Sequence, residues 1–348
     1  MRSANKSDQS GEAGDFEAAV DAVVAGDLPA LDSLIRQNGD LIRARSTHEH
    51  RATLLHYVSA NGVEDSRQKT PPNVVDITKL LLEAGAEVDA CADTYGGGTG
   101  QTTMNLLVSS VHPAKAGLQE ALVETLLDSG AAVNGLEDDG SPLMTALRFG
   151  YGAAAEALVR RGARVDNIVA AASLGRLDLV ERFLVEGYHI KPSLVALRWV
   201  PLTNDRKRNA ALSLVWACVY AQTAIVEFLL EQGVDPAASD ADGMTGLHWA
   251  AANRYVDVVE LLLQHGAPLE ARNRWGGTVL DSTGWFVAHD VWFPATLPSR
   301  QRLAPSRADY ATVMEALIAA GADLSPMQYA TGDRSVDRVL ERHRGRPG

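Results

Sequence analysis

Cysteine is nearly absent: 348 residues contain only Cys91 and Cys218. Two thiols in different segments cannot build a disulfide framework or a cysteine-based zinc site, and both read as buried thiols in a reducing compartment. Positive charge is also in short supply, with 32 Lys and Arg against 44 Asp and Glu, a net charge of -12. That balance argues against sequence-independent nucleic-acid binding, which rests on neutralising phosphates. No apolar run reaches membrane-spanning length, and the opening MRSANKSDQSGEAGD has no apolar signal core. The expectation is a cytoplasmic protein with no membrane or nucleic-acid partner. An Ala-, Arg- and Gly-rich composition associates it with a bacterial, GC-rich source. Catalytic signatures are missing too: there is no G-x-S-x-G elbow, P-loop or H-E-x-x-H. The glycine-rich YGGGTG at 95–100 lacks the lysine and the strand–loop–helix setting of a phosphate loop, and reads as a flexible finger. No catalytic residue is assigned and no cofactor is expected.

Apolar residues make up 46% of the chain, enough for a large core. Their clearest pattern lies in Asp240–Glu270, DADGMTGLHWAAANRYVDVVELLLQHGAPLE. Asp240 and Gly243 mark a turn. Thr245 can cap a helix starting at Gly246, because its hydroxyl can accept from a free amide of the first turn. Leu247, Ala250 and Ala251 give that helix a narrow apolar face. Val258, Val259, Leu261, Leu262 and Leu263 form a second helix, ended by Gly266. Two helices this short cannot bury such faces alone, so the segment needs neighbours like itself.

The run D-x-x-G-x-T-G-L-H-x-A-A followed by V-V-E-L-L-L-x-x-G-A resembles an ankyrin repeat, with Gly246 where that family usually has proline. The resemblance implies hairpin–helix–helix repeats of about 33 residues. It leaves the ligand open, since a fold does not fix a function. Helix-ending glycines at Gly39, Gly85, Gly130, Gly162, Gly187, Gly233, Gly266 and Gly321 set the register, with spacings of 46, 45, 32, 25, 46, 33 and 55. The excess falls in loops, because stacked faces cannot accept insertions. The expected fold is all-α: an α-solenoid of about eight ankyrin-type repeats in a single domain, 15–343. A cap spans 15–45, repeats span 46–324 and a closing helix spans 325–343. Tails at 1–14 and 344–348 are left outside it, the first read as disordered. Inserted loops are expected at 63–75, where Pro71 and Pro72 prevent a helix, at 111–118 and at 286–309.

The resemblance also implies a concave face made by finger tips and the edge of each first helix. Carried over repeat by repeat, it holds Glu49, His50, Arg51, Asn61, Gln101, Arg148, Phe149, Tyr220, Asp242, Met244, Asn253, Arg274, Trp275 and Trp285. Thr53, His56, Thr245 and His248 fill the T-x-L-H box, where the family uses the ring to tie neighbouring hairpins. All six tryptophans lie within 94 residues of the second half. Trp216 and Trp249 read as partly core. Trp275, beside Arg274, reads either as a binding hot spot or as a seal over irregular repeats, and so does Trp285. In the finger His48-Glu49-His50-Arg51, Arg51 replaces the turn glycine. The two histidines are weak metal candidates, since no third distant ligand is evident, and a polar ligand contact or a hairpin-bonding role competes.

The preferred reading is a non-catalytic, monomeric module that grips a protein or peptide, anchored by Arg274 and Trp275 with the His48–Arg51 finger as a polar clamp. One alternative is a small-molecule binder or enzyme, with a pocket between that finger and the inserted loops. Another is a purely structural scaffold, which would leave no aromatic cluster exposed at the fingers.

Overall fold

Short apolar stripes separated by turn residues fold as helix pairs. The computed structural model describes residues 4–95, 98–186, 202–203, 205–289, 307–327 and 330–344. These contain eight helix pairs and a closing helix. The chain groups into two compact blocks, Met1–Arg164 and Val165–Gly348.

In the N-terminal block the pairs are α1 (Ala4–Ala25) with α2 (Leu28–Gln37), α3 (Leu54–Tyr57) with α4 (Val74–Glu83), α5 (Thr103–Leu107) with α7 (Gln119–Asp128), and α8 (Ser141–Arg148) with α9 (Gly152–Arg160). The remaining piece, α6 (Val111–Lys115), packs on α7. First helices touch in the order α1, α3, α5, α8, and second helices in the order α2, α4, α7, α9. A two-stranded hairpin, β1 (Cys91–Thr94) and β2 (Gly98–Thr102), forms the finger before α5, with Cys91 opposite Thr102 and Ala92 opposite Gln101.

The C-terminal block repeats the scheme. Its pairs are α10 (Ile168–Ser173) with α11 (Leu177–Glu186), α12 (Arg206–Val219) with α13 (Thr223–Glu231), α14 (Gly246–Ala252) with α15 (Val256–Gln264), and α16 (Val279–His289) with α17 (Arg307–Ala319). Contacts again run down each row in sequence order, and α18 (Arg334–Arg344) packs on α17. Its buried Val336, Val339 and Leu340 close the block, and Arg342, His343 and Arg344 occupy the last turn, where cations suit the helix dipole.

The T-x-L-H box shows how sequence sets the local structure. At α14 the His248 N–H donates to Thr245 Oγ1 at 3.4 Å, and the Thr245 N–H donates to His248 Nδ1 at 3.2 Å. At α3 the Thr53 N–H donates to His56 Nδ1 at 3.1 Å. This reciprocal box satisfies amides that a helix start leaves free. Both rings are buried. The second ring nitrogen meets the backbone of the following hairpin, at Ala90 and Gln101 for His56 and at Gly277 for His248, without closing a hydrogen bond of normal geometry. Beneath the box, Leu247, Ala250, Val258, Val259 and Leu262 are buried, each large apolar side chain contributing roughly 1.5–3 kcal/mol.

Several expectations change. Contacts group into two blocks, divided between α9 and α10 where the fifth repeat has lost its finger. Within each block the described repeats pack on their neighbours in sequence. Helix α1 begins at Ala4, inside the stretch expected to be a disordered tail: no proline interrupts it, and it runs straight into the buried Phe16, Ala19, Val20 and Val23. Residues 111–118 hold α6 as well as loop, because Pro113 falls in a first turn, where no amide partner is lost. Gly39 opens a 3-10 turn, Gly39–Ile42, and is no left-handed stop, while Asn38 ends α2. Gly187, Trp199, Trp292 and most of the 286–309 loop lie outside the described residues.

Candidate functional site

In the N-terminal block the finger His48–Arg51 closes as a turn, the Arg51 N–H donating to the His48 carbonyl at 3.0 Å. Arg51 holds φ at +49°, the left-handed conformation a glycine would adopt cheaply. The finger is tied to the next one by the Asp93 N–H, which donates to the His50 carbonyl at 2.7 Å. Arg45 reinforces both, donating to the Arg51 carbonyl at 3.0 Å and to that of Cys91 at 2.6 Å.

Glu64, from the 63–75 insertion, organises the finger's side chains. His48 Nε2 lies 2.9 Å from Glu64 Oε1, and His50 Nε2 lies 3.4 Å from Glu64 Oε2. The two imidazoles stack, with centroids 5.6 Å apart. His50 also meets Tyr57 edge-on and accepts from the Ala52 N–H through Nδ1. Arg67 reaches Glu64 at 3.5 Å, Asp21 at 3.0 Å and Glu17, fastening the insertion to α1. Burial opposes the charge of Glu64, but a backbone amide, the two imidazoles and Arg67 outweigh it and hold its carboxyl below the usual range. Burial lowers the pKa of His50, with Glu64 offsetting part of the effect. Arg67→Ala should cost about 1–2 kcal/mol in urea unfolding, because its loss leaves three carboxylates without a shared cation.

Between the two fingers lies an open cleft of about 700 Å³, lined by His48, Glu49, His50, Gly62, Val63, Glu64, Asp93 and Tyr95. His48, Glu49 and His50 are finger residues expected from the sequence, whereas Glu64, Asp93 and Tyr95 are not. Nothing in the sequence marks Glu64 beyond its place in an insertion next to a histidine-bearing finger. Among the described residues, no group of three or more His, Cys, Asp or Glu is arranged to hold a metal ion. The second nitrogens of His48 and His50, the two weak metal candidates, both face the Glu64 carboxylate, which Arg67 also approaches.

Other expected positions divide. Asn61 lies at the cleft edge, but its Nδ2 donates to the Leu106 carbonyl at 3.0 Å and to Ser109 Oγ at 2.9 Å, stapling one repeat to the next. Its Oδ1 accepts from the Tyr95 hydroxyl. Gln101 is partly buried in the hairpin, opposite Ala92. Arg148 is exposed and Phe149 is 43% exposed, its ring stacked on Tyr151. Tyr220, Met244 and Asn253 are buried and leave the proposed face. The Asn253 amide donates to the Trp249 carbonyl at its own helix end, the Met244 sulfur receives the Asn273 amide, and the Tyr220 ring is worth more packed than wetted.

The C-terminal block displays the larger aromatic surface. Trp275 is 71% exposed and Trp285 48%. The Trp275 finger is tightly held: the Arg274 N–H donates to the Asp242 carbonyl and its guanidinium pairs with the Asp242 carboxylate, both at 2.8 Å. The guanidinium lies 5.5 Å from the Trp275 ring centre. Gly243 permits this approach, since a Cβ there would come within 3.2 Å of the Arg274 nitrogen. Trp285 stacks on His289 at 4.4 Å and meets Phe286 edge-on. Trp216 is buried, and Trp249 is half-buried with its indole N–H donating to Asp240 at 2.8 Å.

Helix pairs stacked in sequence order, with preorganised fingers and T-x-L-H boxes, define a helical-repeat scaffold of the kind that displays loops. Residues 168–273 match the family model for ankyrin repeats (3 copies). The chain contains ankyrin repeats. A putative ankyrin repeat protein of Rickettsia felis is 31% identical over 125 residues, 32% of this chain and 46% of that one. Protein PhlB of Serratia liquefaciens is 30% identical over 112 residues, 32% of this chain and 47% of that one. The matched region thus spans about half the length of these relatives. The crystal structure of the human ASB11 ankyrin repeat domain aligns over 88% of this chain and 98% of that domain, at 23% identity and a TM-score of 0.39. Among the described residues, no helix is long and apolar enough to cross a membrane.

Proposed function

We propose that the chain is a non-catalytic interaction module that binds a protein or peptide partner through its fingers, with Trp275 as the anchor. Ankyrin repeats generally mediate protein–protein interaction. The observation that carries the reading is an exposed tryptophan on a rigid mount. Trp275 is mostly exposed, yet a salt bridge and a cation–π contact hold the finger that presents it. Exposed Trp beside Arg is the composition in which binding hot spots are enriched, and a fixed finger loses little entropy on binding. The exposure of Trp275 and Trp285 also speaks against a purely structural scaffold.

The test is affinity capture from cells of the source organism with wild-type and Trp275→Ala protein, followed by titration of the captured partner. Trp275→Ala should weaken binding by about 2 kcal/mol, or roughly thirtyfold, with the thermal melt unchanged. Undiminished affinity in the variant removes the anchor.

A further inference from the structure

The cleft between the His48–Arg51 finger and the β1–β2 finger has a chemistry of its own. Its lining holds three carboxylates, Glu49, Glu64 and Asp93, and neither lysine nor arginine. Arg67, half-buried beside Glu64, is already shared among Glu17, Asp21 and Glu64. His48 and His50 both face Glu64, at 2.9 and 3.4 Å, and Glu49 and Asp93 are the other carboxylates of the lining. The remaining wall is Tyr95, 69% exposed although its hydroxyl is bonded to Asn61. Asn61 is itself bonded to Leu106 and Ser109, so the ring is fixed to the end of α5. An aromatic face held beside carboxylates, in an open cleft of about 700 Å³, complements one kind of group: a flat cation that stacks and donates hydrogen bonds in a fork.

We propose that this cleft receives the guanidinium of an arginine from a partner peptide, stacked on Tyr95 and bonded to Asp93 and Glu49. The inference rests on the reading that the chain binds a protein partner, but not on the Trp275 finger. Arginine is favoured over lysine because its planar head both stacks and forks, whereas an ammonium is a compact, strongly hydrated charge.

The probes are three pentapeptides, Gly-Gly-X-Gly-Gly with X as arginine, lysine or citrulline, titrated into the full isotope-labelled chain. The arginine peptide should give saturable amide shifts at residues 48–50, 62–64 and 93–95. Lysine should bind several-fold more weakly, and citrulline, with the same shape and no charge, at least about tenfold more weakly. Tyr95→Ala and Asp93→Asn should each weaken the arginine peptide about tenfold, while Tyr95→Phe keeps the stacking face and most of the affinity. Trp275→Ala should change nothing here, so failure of the anchor and failure of the cleft are separable. Equal binding of citrulline and arginine, shifts elsewhere on the chain, or no saturable binding would overturn the proposal. So would zinc ion binding saturably at these residues while the arginine peptide does not.

Discussion

Between pH 7 and pH 4 the folded chain should lose about 3 kcal/mol of stability for each of His56 and His248. Burial lowers both rings from 6.5 to about 4, with neighbouring backbone groups offsetting part of the effect. The unfolded chain binds protons on these rings near 6.5, and the folded chain only near 4. Stability from the neutral rings is therefore complete above 6.5 and is lost as pH falls through the window to 4. The capping box acts in the same direction as burial: Nδ1 accepts from the Thr53 or Thr245 amide, and a protonated ring cannot. Asp240, whose carboxyl burial pushes up, has the opposite slope, but in the carboxylate range. The measurement is the denaturant midpoint against pH for the wild type, His56→Asn and His248→Asn. Each variant starts less stable at pH 7, and each should show about half of the wild-type fall. A flat wild-type profile from pH 7 to pH 5 would contradict the assignment.

The second large effect concerns Gly246, which stands where this family usually carries proline. Proline suits a first helical position, so Gly246→Pro would ordinarily help. Here it should cost about 3 kcal/mol. A Cβ at 246 would lie 2.7 Å from the Cys218 sulfur and 3.5 Å from its Cβ. Cys218 is buried in α12, which packs directly against α14, so little room exists for either helix to yield. The companion variant decides the cause. With Cys218→Ala in place, Gly246→Pro should become neutral or stabilising, a coupling of about 2–3 kcal/mol in a double-mutant cycle. Equal penalties in both backgrounds would show that the strain lies elsewhere.

Helix pairs were legible in the sequence because their signal is local. Thr245, His248, Leu247 and Val258 lie within one turn or one helix of their partners, and the same spacing recurs at Thr53 and His56. Exposure of Trp275 and Trp285 could also be anticipated, since finger and edge positions need no large ring for stacking. Burial at the face could not. Met244 is covered by Asn273 from the next repeat, and Asn253 turns back to its own helix end, neither of which a position within the repeat reveals. Glu64 and Arg67 were invisible for a different reason. They lie in an insertion outside the repeat pattern, and the Arg67 partners Glu17 and Asp21 are 46 or more residues away. Loop residues are placed by what they reach, and reach is a three-dimensional property. The β1–β2 finger shows the same limit: its glycines signalled a flexible tip, but not the bond that holds Tyr95 to Asn61.

The most direct test of finger-mediated recognition is hydrogen exchange on the chain with and without its captured partner. The account predicts slowed exchange at residues 240–245 and 272–289, where the Trp275 finger and Trp285 are displayed, with α11, α13 and α15 unchanged. Protection confined to those second helices, with residues 272–289 exchanging as in the free chain, would contradict it.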